Sequence, residues 1–318
     1  MKTRLLSFML VIAILAFVLT FGLSGLPTAR AQARPGTDDT ATPYLSPEGP
    51  HAEASPAFGS IQSSATAVGT PLFQLDLSTP TGDSLLLGVE FDGTYYWTTG
   101  GNSQAEPNKL YKLDLSGALV STYDQPAGCS GFGGRDMAFD GTYLYFGCDD
   151  GYIHQVDPAT GAQVETIHAP ITPPRALAYD PATDHFWTAS WSSAIFELDR
   201  SGTVVDFCPS VGQSTGGMAW DAESPGGPYL WLWAPNMPPP GNSASQFDPG
   251  SCWMTGVHFR GVDLDPGGTN NTAGGATVSD DVVPGRLVLL AMHLAEPDTL
   301  IGYNLLVRAY LPLVLRNP

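Results

Sequence analysis

A small set of residues in this 318-residue chain has the types and spacing that suit chemistry. Arg135 and Arg175 stand out because Lys+Arg total 13 against 31 Asp+Glu. Two guanidinium groups can hold a carboxylate or an acidic sugar through charge-assisted, forked hydrogen bonds. In the competing reading each neutralises a neighbouring acid such as Asp136. Asp149 and Asp150 form an acidic pair. Trp191, in a loop, offers an indole for stacking. Arg135, Asp136, Asp149, Asp150, Arg175 and Trp191 are therefore the candidates for ligand binding. No catalytic residue is assigned.

Other patterns carry less weight. Gly212-Gln213-Ser214-Thr215-Gly216 fits Gly-x-Ser-x-Gly, but a nucleophile elbow needs a strand before it and a helix after it. No helix is expected there, so Ser214 reads as a turn residue. Asp263-x-Asp265 before Gly267-Gly268 puts carboxylates at alternate positions, as a hard cation requires, yet the remaining ligands of a calcium loop are missing. Asp280-Asp281 is a further acidic pair. Calcium is the one cofactor these spacings suggest, and no other is expected. The histidines show no His-Glu-x-x-His spacing. Without a Cys-x-x-Cys, a zinc ribbon or thioredoxin-like site has no support.

The elements that position these residues follow from a repeat. Phe91-Asp92-Gly93-Thr94-Tyr95-Tyr96-Trp97 returns as Phe139-Asp140-Gly141-Thr142-Tyr143-Leu144-Tyr145. It returns again around Tyr179-Asp180 with Phe186-Trp187, and around Trp220-Asp221 with Tyr229-Leu230-Trp231. Each copy leads into an apolar strand ending in aspartate, at Asp114, Asp157, Asp199 and Asp248. Asp-Gly between two strands signals a hairpin whose central residues both take φ > 0. The unit is four short antiparallel strands in about 40–50 residues, and stacking such units radially gives a β-propeller. The fold expected is thus all-β: a single propeller of five four-stranded blades. The blades start near Leu85, Gly134, Pro174, Gly216 and Gly274. The last blade lacks a fourth strand, and Pro71–Leu77 is expected to close the ring as its outer strand. Ala138, Ala178 and Ala219 fit where blades crowd near the axis, and Trp97, Trp187, Trp231 and Trp233 are expected between blades.

Gly134–Tyr145, Pro174–Asp184 with Phe186-Trp187, and Ser224–Trp231 resemble a propeller module of secreted bacterial proteins. The stretch from Ala273-Gly274-Gly275 to Gly302-Tyr303 is similar to that module's last blade. The module often accompanies extracellular peptidases or surface proteins, and it implies no particular catalytic residues. Within these 318 residues neither a peptidase domain nor a long sorting domain is expected.

The blade arrangement also orders the cysteines. Four of them, in an exported chain, allow three pairings. Cys129 lies in the loop before blade two and Cys148 ends that blade's second strand, on the same face, which favours Cys129–Cys148. Cys208 and Cys252 are left to join blades three and four.

The ends carry an address. Lys2 and Arg4 precede an apolar run from Leu5 to Gly22, followed by Ala29-Arg30-Ala31, the layout of a cleaved secretory leader over residues 1–31. An uncleaved anchor is the alternative. Residues 32–68 are rich in Pro, Ser, Thr and Ala and read as a flexible linker. The propeller spans 69–308. The tail, 309–318, contains Tyr310-Leu311-Pro312-Leu313-Val314-Leu315, which resembles a terminal sorting motif of exported proteins from filamentous bacteria. Its other reading is a strand docked on the propeller.

The formal net charge of -18 disfavours nucleic acid and anionic lipid as partners. Only 3 lysines argue against helical bundles, and 7 Trp, 12 Tyr and 14 Phe argue against disorder. The leading expectation is an exported, non-catalytic propeller that binds extracellular protein or glycan at or outside the cell surface. Membrane contact would come only through an uncleaved leader or the tail. The rival is a propeller enzyme with an axial pocket, lactonase-, lyase- or cyclotransferase-like, with Glu90, Asp136 and Asp149 as the suggestive acids. A structural spacer in an envelope layer is a third.

Overall fold

The computed structural model describes residues 67–235, 241–264 and 272–307. The leader, all but the end of the linker, Pro238-Pro239-Pro240, Asp265, Gly267-Gly268 and the tail lie outside the described residues.

The described chain forms a five-bladed β-propeller. Strand β1 (Pro71–Asp76) comes first. Blade one follows as β2 (Glu90–Phe91), β3 (Tyr96–Gly100), β4 (Lys109–Leu113) and β5 (Leu119–Asp124). Blade two is β6 (Met137–Phe139), β7 (Leu144–Gly147), β8 (Tyr152–Val156) and β9 (Gln163–His168). Blade three is β10 (Ala176–Asp180), β11 (His185–Ala189), β12 (Ile195–Leu198) and β13 (Val204–Cys208). Blade four is β14 (Gly217–Asp221), β15 (Tyr229–Ala234), β16 (Ser243–Asp248) and β17 (Trp253–Arg260). Blade five is β18 (Thr272–Ser279), β19 (Arg286–Leu294) and β20 (Thr299–Val307), and its outer strand is β1. Gln74 pairs with Ile301 and Leu75 with Leu300, so chain segments far apart in sequence close the ring and leave no open seam there.

The repeated aspartate works differently from the hairpin expectation. Gly93 and Gly141 take φ 90 and 92, but Asp92 and Asp140 are not in the left-handed region. The loop is four residues, because Phe91 pairs with Tyr96. Its geometry comes from the carboxylate: Asp92 Oδ1 accepts from the N–H groups of Thr94 at 2.9 Å and Tyr95 at 2.7 Å. The other oxygen accepts from Trp97 Nε1 at 2.8 Å. Asp221 does the same for Trp231 Nε1 at 2.9 Å. One side chain thus shapes the turn and fixes the aromatic residue on the next strand.

Those aromatics form the packing between blades. Trp97, Trp231 and Trp233 are fully buried, and Trp187 stacks on Trp220 at 6.3 Å. Tyr145 meets Phe186 at 4.6 Å, joining blades two and three. Burying side chains of this size stabilises by several kcal/mol each, about 3–5 on truncation to alanine. Disulfides join Cys129 to Cys148 and Cys208 to Cys252, the pairing the blade arrangement favours. The second of these crosses from the end of β13 to the turn before β17, so it staples blade three to blade four.

Candidate functional site: an axial pocket with one carboxyl group

The five inner strands share one register around the axis. Glu90 pairs across its blade with Trp97, as Ala138 does with Tyr145, Ala178 with Trp187 and Ala219 with Trp231. Glu90, Ala138, Ala178, Ala219 and Thr277 thus form one layer. Two residues earlier in each blade, a second layer holds Gly88, Asp136, Ala176, Gly217 and Gly275.

Asp136 fills the axis in that second layer. Its Oδ2 accepts from Leu177 N–H at 2.9 Å and Met218 N–H at 2.7 Å, and its Oδ1 from Ala276 N–H at 2.9 Å. One carboxylate on blade two therefore ties blades three, four and five. A Cβ on Gly275 would lie 2.4 Å from Oδ1, so only glycine leaves room for this plug. Burial pushes the Asp136 carboxyl up, against the pull of the backbone N–H groups. The residue proposed as a ligand contact is an internal brace.

On one side of the plug lies a cavity of about 380 Å³. Met137, Leu177 and Met218 line its deep end, and Phe91, Phe139, Tyr179 and Trp220 ring it further out. Among the lining residues, Glu90, Thr277 and Asp140 supply polar side chains beside the apolar and aromatic ones. Thr277 Oγ1 donates to Glu90 Oε1 at 2.7 Å, and Phe91 N–H donates to the same oxygen at 2.7 Å. Burial raises the Glu90 pKa to about 8, only partly offset by these donors. At the rim, Asp140 is occupied by its turn, by Tyr145 Oη at 2.8 Å and by Arg200 at 2.8 Å.

The other expected site residues lie on the opposite side of the plug. Arg135 Nη2 donates to both oxygens of Asp149, at 2.7 and 2.9 Å, so the acid it neutralises is Asp149 rather than Asp136. Asp150 Oδ2 sits 3.0 Å from His154 Nε2. Arg175 lies over the Trp191 ring at 4.0 Å. Arg135 and Arg175 share a crevice of about 10 Å³, no larger than one water. The candidates thus group as Arg135 with Asp149 and Arg175 with Trp191, while Asp136 and Asp150 are engaged elsewhere.

The other chemical patterns resolve structurally. Strand β14, not a helix, follows Ser214, whose hydroxyl lies 3.5 Å from that of Ser192. Cys129, Cys148 and His154 lie close together, but both sulfurs are in the disulfide, and metal binding needs free thiolates. Of the three acids read for an axial pocket, Glu90, Asp136 and Asp149, Glu90 is the one that lines it. The signal that finds it is the repeat register, which puts a glutamate where three other blades carry alanine. Thr277 was not singled out by its sequence context.

No family model and no curated sequence matches this chain. Among solved structures, the chain is similar to the glutaminyl cyclase of Myxococcus xanthus: 15% identity, 76% of this chain and 99% of that chain covered, TM-score 0.55. It is also similar to the hydrazine synthase of Kuenenia stuttgartiensis, at 15% identity, with 74% of this chain and 60% of that chain covered and a TM-score of 0.41. At these identities the first likeness concerns the propeller fold alone.

Proposed function

We propose that the axial pocket is an active site in which Glu90 moves a proton within a neutral, amide-bearing substrate. The observation that supports this is a buried carboxyl with a pKa raised to about 8, on the wall of an aromatic-lined cavity. A group with a pKa near ambient pH both accepts and returns a proton readily. The cavity is of the size that takes a small molecule or one end of a peptide.

The reaction this suits best is intramolecular aminolysis at an N-terminal glutamine. The α-amino nitrogen attacks the side-chain amide carbon while Glu90, as carboxylate, takes the amine proton. The protonated Glu90 returns that proton to the departing amide nitrogen. A lactam and ammonia leave, and the enzyme ends as it began. The Thr277 hydroxyl and the Phe91 N–H hold one Glu90 oxygen and so fix the carboxyl in the pocket wall. The likeness in fold to a glutaminyl cyclase is consistent with this choice.

We place the protein with exported proteins. Two disulfides suit an oxidising compartment, and the leader-like N-terminus and the resemblance to secreted bacterial propeller modules agree. Non-catalytic binding of extracellular protein or glycan is the second reading, favoured by the two arginines paired with aromatic rings on the far face.

The test is incubation with a peptide that begins with glutamine, following ammonia release and the matching loss of mass. Turnover that Glu90→Gln abolishes while the thermal unfolding midpoint does not fall is the expected result. Absence of turnover on glutaminyl and other amide substrates would overturn the catalytic reading.

A further inference from the structure

The face opposite the Glu90 pocket carries two arginines, Arg135 and Arg175, that share Asp149 as a nearby acid. Arg135 is matched by Asp149. Among the described residues, no carboxylate lies within ion-pair distance of Arg175, and its Nε is buried without a hydrogen-bond partner. The Nε of Arg135 is likewise buried and unpartnered. The crevice beside these Nε atoms is the size of one water, so a larger anion would meet the guanidinium groups from the mouth. Burial and the nearby Arg135 lower the Arg175 pKa to about 10 against the opposite pull of Asp149, and the group stays charged at neutral pH.

The local charge balance sets the charge of the ligand. Two guanidinium groups face one ion-paired carboxylate, Asp149, so a second carboxylate suits the pair. Elsewhere the chain is strongly acidic, so an anion is favoured at this spot and disfavoured over much of the surface. The surroundings define the rest of the ligand. Trp191 is 38% exposed and Phe132 53% exposed, and each lies against one of the arginines, Arg175 at 4.0 Å and Arg135 at 5.0 Å. Exposed aromatic rings beside a cation offer an apolar platform for the C–H face of a sugar ring and an electrostatic contact for its acid group.

We propose that Arg175, supported by Arg135 and flanked by Trp191 and Phe132, binds the carboxylate of an acidic sugar at this mouth of the propeller axis. The site lies across the Asp136 plug from Glu90, so it stands independently of the catalytic reading.

The experiment is calorimetric titration of the full chain with galacturonic-acid oligomers, and with galactose oligomers as the neutral control. Saturable binding of the acidic oligomer alone is expected. Arg175→Ala should weaken it about tenfold or more, the worth of a charged hydrogen-bonding partner. Trp191→Ala should weaken it too, and Glu90→Gln should leave it unchanged. If Arg175→Ala fails to fold, Arg175→Lys keeps the charge but loses the fork and the ring contact, and it should still weaken binding. Equal binding of acidic and neutral oligomers, unchanged affinity in a folded Arg175 variant, or no heat with the acidic oligomer at millimolar concentration would overturn the proposal. Binding only of peptides with a free C-terminal carboxylate would overturn the sugar assignment.

Discussion

The Asp136 carboxylate accepts the backbone N–H of Ala276 at 2.9 Å across the propeller axis, from a strand 140 residues further along the chain. The same side chain reaches Leu177 and Met218, so it acts as a hub for the inner strands of three other blades. Removing the carboxylate would leave three buried N–H groups without acceptors. Each such loss costs about 1–3 kcal/mol, so Asp136→Ala should lower stability by at least ~3 kcal/mol, and Asp136→Asn by less. Urea unfolding measures this. A loss under ~1 kcal/mol for the alanine variant would mean that the hub is dispensable.

The two disulfides should differ in value. Cys208–Cys252 closes a separation of 44 residues and Cys129–Cys148 one of 19. In the chain-entropy account the longer loop stabilises more, by about 0.7 kcal/mol, on a base of ~2–4 kcal/mol each. Serine pairs at each bridge, compared by thermal unfolding, should rank Cys208–Cys252 first. The opposite ranking would show that local packing around Cys129 outweighs loop length.

Glu90 should make stability fall as pH rises. Its folded pKa of about 8 lies above its unfolded value near 4.5. Between these limits the folded state holds a proton that the unfolded state has released. Stability therefore declines from about pH 4.5 to about pH 8 and levels off above that, the burial penalty being on the order of a few kcal/mol. Glu90→Gln removes this dependence, so at about pH 9 the variant should exceed wild type and at about pH 4 the two should be close. Parallel curves for the two proteins would show that the Glu90 carboxyl is not desolvated in the folded state.

The fold was legible because a propeller writes its geometry into a repeat. The Phe-Asp-Gly-Thr unit gave the blade period, and the unpaired strand at Pro71 gave the closure. The turn chemistry was only half legible: Asp-Gly marked the turn, but the role of Asp92 as acceptor for Thr94, Tyr95 and Trp97 depends on side-chain geometry that a dipeptide does not specify. The site was less legible still. Arg135 and Arg175 stood out by rarity, and both do lie at one mouth of the axis. Asp136 looked like a surface acid because nothing in its neighbours reveals that the blades converge on it. Glu90 becomes distinctive only once the register sets it beside Ala138, Ala178 and Ala219, and Thr277 only once the ring closes and brings blade five against blade one.

That last contact gives the sharpest test of the axial pocket. Thr277 Oγ1 donates to Glu90 at 2.7 Å and lowers its pKa, against the larger effect of burial. Thr277→Val keeps the volume and removes the donor, so the pKa should rise further. A hydrogen bond of about 1 kcal/mol corresponds to a shift of somewhat under one unit. If Glu90 acts first as a base, kcat/KM rises with pH through its ionisation, and the whole limb should move to higher pH in the variant. At about pH 7 the rate should drop severalfold, while well above about pH 9 it should return close to wild type. Loss of rate equal at all pH values would mean that Thr277 shapes the pocket without tuning Glu90. An unmoved profile with full activity would place the titrating group elsewhere.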